Sequence, residues 1–469
     1  VQVNGKSQEY FAGWTQTGWT ALGVAKRKSV NSIVKALAVD GKDIYLGGTF
    51  IMAAGDTVNH IVKWNGQNWS ALGDGLNGEV KAIAVQDGIV YAGGAFTASG
   101  DTPINRIGKW DGSNWSALGT GVNNQVYAIA IHGNDVYAGG NFTKAGKIFS
   151  RHIARWDGIQ WNDVGGDGSL YGTGGLDGYY YSYVSSIAVD RDTVFIAGYF
   201  GRAIYKDSYI KVRSIVKWDG QNWIPVGKLA PNSNVTLHSM IVENGQVYAT
   251  MSNPYSGDWS GNRVVHWDGK NWESLGEQFY DQNNSSGGKI KSIVRLNKTL
   301  YVGGEFTSNG ENPASHLARW DGSSWQGLGE DAVNNDVYAL ATNDRNLFAG
   351  GYFTIAGNTV SAFFGQYTPS ATALYDRAEA EVQNFSLKQN YPNPFNPKTI
   401  IRYYLSVQSL VDLSIYNVLG EKVATLISSR RAAGRHKVSW DATGFSSGLY
   451  FYKLETPAYT QVRRMLLIK

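Results

Sequence analysis

Few side chains in this 469-residue chain have the types and spacing that chemistry needs. With no cysteine there is no thiolate nucleophile, no disulfide, no sulfur-ligated metal and no cysteine-linked copper site. Of seven histidines, His60, His152 and His316 fall at one repeated place, four residues before a tryptophan, where sister segments carry Arg106, Ser214 or Arg263. Their recurrence is positional. Asp167, Asp177 and Asp281 lie on long connections and could supply the two carboxylates of glycoside cleavage; acidic residues are equally at home on solvated loops. No His-Glu-x-x-His pattern, phosphate-binding glycine loop, nucleophile elbow or calcium-loop series occurs. No catalytic residue, metal or cofactor is therefore assigned. The strongest candidate for molecular contact is aromatic. The segment GGDGSLYGTGGLDGYYYSY makes the step from Gly165 to Val184 12 residues longer than that from Gly119 to Val126, and it carries Tyr171, Tyr179, Tyr180, Tyr181 and Tyr183. Tyrosines among glycines supply rigid amphipathic contact area at low entropy cost; the same loop could instead fold back and bury its own rings. A second extended connection, EQFYDQNNSSGG at 277–288, adds Phe279 and Tyr280.

The elements that must position these loops are written in a repeat. Trp-(Asp/Asn)-Gly-x-x-Trp occurs six times, beginning at Trp64, Trp110, Trp156, Trp218, Trp267 and Trp320, with Tyr367 at the equivalent seventh place. An apolar strand ending in Gly-Gly precedes each, as in IYLGGTF at 44–50 and VYAGGNFT at 136–143, with degenerate copies at 194–201 and 247–254. Each unit reads as four strands, and the first two are apolar on both faces, as strands buried between neighbours require. A four-stranded unit of this length falls in the kelch and propeller range. The expected fold is all-β: a seven-bladed β-propeller over 1–367, a linker at 368–384 and a small Ig-like β-sandwich over 385–469. The Asp/Asn-Gly pair predicts a tight hairpin with positive φ at both central residues, and the tryptophans fill the gaps between blades rather than stack on sugars. GWTALG at 18–23 matches the last strand of a unit that has no other strands, so the N-terminal strand is expected to complete the seventh blade. Phe11–Trp14 resembles a competing third strand.

From 385 onward the pattern changes to alternating strands separated by turns. The segment opens with Tyr391, Pro392, Asn393, Pro394, Phe395, Asn396 and Pro397, whose prolines predict an extended lead-in rather than a central strand. YPNPFNP, IYNVLGEKV, WDATGFSSGLYFYKL and the basic-apolar end together resemble the C-terminal sorting domain, type A (Por), of type IX secretion substrates of Bacteroidota and related bacteria. Leu405 is followed by Ser406 where family members have proline. The resemblance implies export through the type IX outer-membrane translocon and display at, or release from, the cell surface. The Gly-Gly-x-Phe-Thr repeat is similar to that of kelch-like propellers carried as cargo of the same system.

Composition sets further bounds. No apolar run is long enough to span a bilayer as a helix, and a start at Val1 fits a secretory protein that has lost its leader. Residues 385–469 carry 12 Lys/Arg and 4 Asp/Glu against 30 and 34 in the remainder, a basic tail on a faintly acidic body. The excess is too small and dispersed for nucleic acid. The expected function is a secreted, non-enzymatic surface or matrix protein with the propeller as a binding or packing platform. It self-assembles if the basic sandwich of one copy docks on the propeller of the next. The alternative is a glycan-binding lectin or carbohydrate-active enzyme working through the tyrosine-rich loop face.

Overall fold

The computed structural model describes residues 18–468 except 21–28, 167–174, 178–180, 206–207, 230–234, 254–259, 282–287, 311, 330–331, 358, 370–385, 388, 391, 406, 433 and 458. The chain divides into two compact units, Val1–Ser370 and Ala371–Lys469. Among the described residues all regular structure is antiparallel strand, with no α-helix.

The first unit contains seven four-stranded arrangements of one pattern. In the first, Val34–Asp40 pairs with Asp43–Gly48, that with Ile61–Trp64, and that with Trp69–Ala71. The strands that open the seven sheets are Val34–Asp40, Val80–Gln86, Val126–His132, Tyr183–Asp190, Thr236–Glu243, Ile290–Leu296 and Val337–Thr342. Each neighbours the next, and the last neighbours the first, which makes a propeller-like ring with these strands innermost. The outermost strand of the seventh sheet is Gly18–Thr20, paired with Phe364–Thr368 through Trp19 opposite Tyr367. The N-terminal strand thus closes the sheet that ends the repeat. Phe11–Trp14 lies outside the described residues.

The Gly-Gly signature is a spacing device. A β-carbon on Gly47 would come within 2.4 Å of Val80 of the next inner strand, and Gly93, Gly139, Gly303 and Gly350 stand in the same relation to Val126, Val184, Val337 and Val34. Contacts this short leave no room for a methyl group, so in these five seams each sheet approaches its successor to backbone distance. Gly350 to Val34 is the closing seam, and it repeats the geometry of the others. The second glycine of the pair faces backbone of its own sheet: a β-carbon on Gly48 would lie 2.0 Å from the Ile33 carbonyl oxygen.

The outer half of four seams is filled by tryptophan. The two indoles of a unit lie against each other, 4.8 Å apart between Trp64 and Trp69 and 5.8 Å between Trp110 and Trp115. The second indole donates its N–H to a carbonyl of the preceding sheet: Trp115 to Leu72, Trp161 to Leu118, Trp272 to Val226 and Trp325 to Leu275, each at 2.7 Å. Such a bond contributes about 1 kcal/mol beyond the apolar burial. The intervening turn differs from the sequence expectation. Only its glycine has positive φ, from 93° to 101°. The aspartate instead accepts two backbone N–H groups through one oxygen, as Asp111 does from Ser113 and Asn114 at 2.9 and 2.8 Å. It is an Asx cap closing a four-residue loop, so the side chain rather than left-handed backbone selects Asp or Asn.

Phe-Thr after Gly-Gly has its own role. Phe50, Phe96, Phe142, Phe200, Phe306 and Phe353 are buried, and their carbonyls accept the N–H of His60, Arg106, His152, Ser214, His316 and Phe363. Those six residues all have positive φ. The repeated histidine position is a left-handed bend that turns the chain back into the sheet.

The second unit has two sheets over one core. Ser386–Leu387, Lys398–Leu405 and Gly434–Asp441 form one, and Lys422–Arg431, Ser409–Tyr416, Gly448–Thr456 and Tyr459–Leu467 the other. Ile401, Tyr403 and Trp440 from the first meet Leu413, Ile415, Tyr452 and Met465 from the second. Of the proline-rich lead-in, Tyr391 lies outside the described residues, and the Asn393–Pro394 bond is cis. Phe395 is buried against Trp440, bridges Leu467 in parallel and donates its N–H to the Leu466 carbonyl at 3.0 Å. The Asn393 side chain accepts from the Leu466 N–H at 2.8 Å. The lead-in therefore covers the edge of the last strand, which would otherwise present unpaired backbone groups.

Replacing Gly139 by Ala should cost about 1–3 kcal/mol, as overpacking does, and a second change Val184→Ala should restore part of that loss. Denaturant melts of the two single variants and the double variant measure the coupling.

Candidate functional site

Each inner strand begins with a bulge at its second or third residue, where the pairing register shifts by one. The extra residue is Lys35, Lys81, Tyr127, Ser185, His238, Lys291 or Tyr338 in the seven sheets. A bulge re-aims the side chain it inserts, and because the seven strand starts lie at one end of the ring, these side chains gather there. This is also the end that carries the connections between sheets and the small ribbons between second and third strands.

The gathered groups form a circuit. Glu79 bridges Lys81 at 2.9 Å and Lys35 on the adjoining sheet at 2.5 Å. Burial works to raise its carboxyl, but the two lysines outweigh that and hold it below the ordinary range. Lys81 stands 5.6 Å over the Tyr127 ring, whose edge meets Tyr183 at 6.1 Å. Tyr183 lies 6.2 Å from Tyr199 and hydrogen bonds Thr236, and burial raises its phenol. His238 shares a hydrogen with Ser252 at 2.8 Å. Lys291 pairs with Glu305 at 3.0 Å. The Tyr338 hydroxyl donates to Asp336 at 3.2 Å, and Lys35 stands 6.0 Å over the Tyr338 ring. Burial lifts the Asp336 carboxyl, with His316 opposing and Glu305 adding to the rise. Burial and the adjacent Asp336 push the Tyr338 phenol up to about 12.

The structure separates the sequence-derived candidates. Tyr183 is half-buried in this circuit, and Tyr181 beside it is 77 % exposed. Tyr171, Tyr179, Tyr180 and Asp167 lie outside the described residues. Part of the same insertion is scaffold: Gly175–Asp177 pairs with Arg202–Tyr205 of the fourth ribbon, Leu176 is buried, and Asp177 lies 3.7 Å from Arg151. Phe279 is fully buried, 4.6 Å from Phe306 and 5.6 Å from Trp325, because its strand inserts between Asn262 and Asn309. It is a core ring and offers no contact surface. Tyr280 next to it is exposed. The bulge residues were missed in the sequence, although a signal existed: Lys, Lys, Tyr, Ser, His, Lys and Tyr vary where flanking positions repeat. Among the described residues no group of three His, Asp or Glu could hold a metal ion.

His238 gives the circuit a pH dependence. Burial, with Lys291 and Lys289 adding to it, pushes its pKa down to about 3. In the unfolded chain the imidazole takes its proton near 6.5, so between that value and about 3 the unfolded state binds more protons and folding stability falls as pH is lowered. Thermal melts from pH 7 to pH 4 should fall less steeply for His238→Gln than for the parent chain.

Known structures offer distant likenesses. PorZ, a surface component of the type IX secretion system of Porphyromonas gingivalis, is 13 % identical with a TM-score of 0.39, and the match covers 93 % of this chain and 66 % of PorZ. This chain thus spans just under two thirds of PorZ. The β-propeller domain of the Trilobed protease from Pyrococcus furiosus is 9 % identical, with a TM-score of 0.30 over 62 % of this chain and 94 % of that domain. An α-L-arabinofuranosidase from Clostridium thermocellum is 14 % identical, with a TM-score of 0.28 over 63 % of this chain and 92 % of the enzyme. Similarities this low establish neither fold nor activity. No curated protein sequence matches the chain. Residues 389–469 match the secretion system C-terminal sorting domain, and by that domain the protein is one exported by the type IX system to the cell surface or the extracellular space.

Proposed function

We propose that the chain is a non-enzymatic cell-surface or extracellular-matrix protein. Residues 1–367 form a seven-bladed β-propeller, 368–384 a linker, and 385–469 an Ig-like sandwich that addresses it to the type IX translocon. The ribbon end of the propeller is a platform for a macromolecular partner. One observation carries this reading. Of the ten exposed large apolar side chains described in the first unit, nine lie at the ribbon end: Ile51, Met52, Phe149, Tyr181, Tyr209, Tyr280, Tyr352, Ile355 and Val360. Ile159 alone lies elsewhere. Apolar surface gathered on one face of a soluble domain marks a contact face, and the polar circuit at its centre gives a partner orientation. The charged members Lys35, Glu79, Lys81, Lys291 and Glu305 are already paired with one another, which favours recognition over proton transfer.

Charge favours a second copy as one partner, since the basic 385–469 segment complements the remainder at a net −4. A head-to-tail contact of that kind propagates into filaments. The competing reading, a lectin or carbohydrate-active enzyme at the same end, draws on Asp336, whose raised carboxyl suits a general acid.

Sedimentation of the full chain at low salt tests the platform. Tyr209→Ser with Ile355→Ser should weaken concentration-dependent association about tenfold. A chain that stays monomeric at every salt and concentration removes the second-copy version. Polysaccharide turnover abolished by Asp336→Asn overturns the non-enzymatic reading.

A further inference from the structure

Four seams share one packing contact: a β-carbon on Gly73, Gly119, Gly227 or Gly276 would lie within about 3 Å of Trp110, Trp156, Trp267 or Trp320, the first indole of the next sheet. The seam between the third and fourth sheets departs from this. There the Val164 carbonyl accepts the N–H of Gly175, from the inserted segment, at 2.9 Å. The indole N–H of Trp223, which its counterparts direct to that carbonyl position, goes to Ile204 at 2.8 Å instead. Gly165 faces Trp223 rather than Trp218. The seam opens, and a cavity of about 420 Å³ occupies it, at the end opposite the ribbons.

The lining has a defined chemistry. Asp135 and Arg155 form an ion pair at 2.9 Å, Asp192 lies 3.8 Å from His132, and Asn162 and Asp163 come from the outer strand of the third sheet. Tyr137 and Trp218 add aromatic rings to the lining. Oxygen acceptors outnumber donors: four carboxylates, Asp135, Asp163, Asp192 and Asp219, face one guanidinium, Arg155. What it lacks is hydrogen-bond donors. A ring bearing several hydroxyls supplies those donors, accepts from the guanidinium, and brings no charge that must be desolvated. The volume lies within the range of small-molecule sites.

We infer that this seam cavity binds a neutral sugar residue, at a site separate from the ribbon end and independent of its assignment. The opening of the seam, which the insertion after Gly165 produces, makes the room.

Titration of the full chain with a panel of neutral hexoses and pentoses, followed by ligand-observed NMR, tests the site. At least one sugar should bind saturably, and Arg155→Met and Asp192→Ala should each weaken it roughly tenfold. Asp192 is exposed, so its variant should keep the parent melting temperature, which separates lost binding from lost folding. Tyr209→Ser with Ile355→Ser should leave sugar binding unchanged whatever it does to association. Absence of saturable binding by every sugar of the panel, binding indifferent to both cavity variants, or binding of organic amines in place of sugars would overturn the assignment.

Discussion

The ring depends on backbone-distance packing between successive sheets, where the first glycine of Gly-Gly meets the first valine of the next inner strand. Any side chain at that glycine widens the seam, and seven seams must sum to a closed turn, so the tolerance at each is small. The fourth and fifth sheets break the rule with Ala197 and Thr250, and their seams use other contacts. Ser186 and Ser239 there accept backbone N–H groups of Met240 and Ile293 on the following inner strand, as Ser292 does from Leu340. Hydrogen bonds across the seam replace part of what close apolar packing gives elsewhere.

Scaffold and variable positions are thereby separated. Glycine, valine, tryptophan and the Asx-capping aspartate answer to the ring and repeat with it. The bulge residue of each inner strand lies outside the glycine–valine packing of the seams and meets neighbouring sheets only through its side chain, as Lys35 meets Glu79, and there the chain places lysine, tyrosine, histidine or serine. The ribbons outside the bulges are freer still. Asn77, Asn123 and Asn334 fasten three of them through paired bonds to successive backbone N–H groups and a bond to the threonine of Gly-Gly-x-Phe-Thr. Rigid attachment of variable tips suits a surface that recognises a partner without rearranging.

Much of this was legible in the sequence because a repeat averages out local ambiguity. The strand sequence of each unit, the seam role of the tryptophans and the N-terminal strand of the seventh sheet all follow from Trp64 to Tyr367 recurring in step. The role of aspartate in the Trp-Asp-Gly loop did not, since a capping side chain and a left-handed backbone select the same two residue types. Phe279 was misplaced because a long connection reads as solvated until a strand inside it pairs with both neighbours. The circuit around Glu79 and Tyr183 was hidden by its spacing, with members some fifty residues apart and joined only by ring closure. The open seam at Gly165 was invisible for a related reason: it arises from one carbonyl changing its donor.

Closure of the ring is most directly tested by native-state hydrogen exchange across the closing seam. If Gly350 packs on Val34 as Gly47 packs on Val80, amides of Val34–Asp40 and Val337–Thr342 should exchange as slowly as those of Val80–Gln86 and Ile290–Leu296, through global unfolding alone. Exchange in the first and last inner strands well ahead of the interior ones, as at two free ends of an open array, would contradict the account.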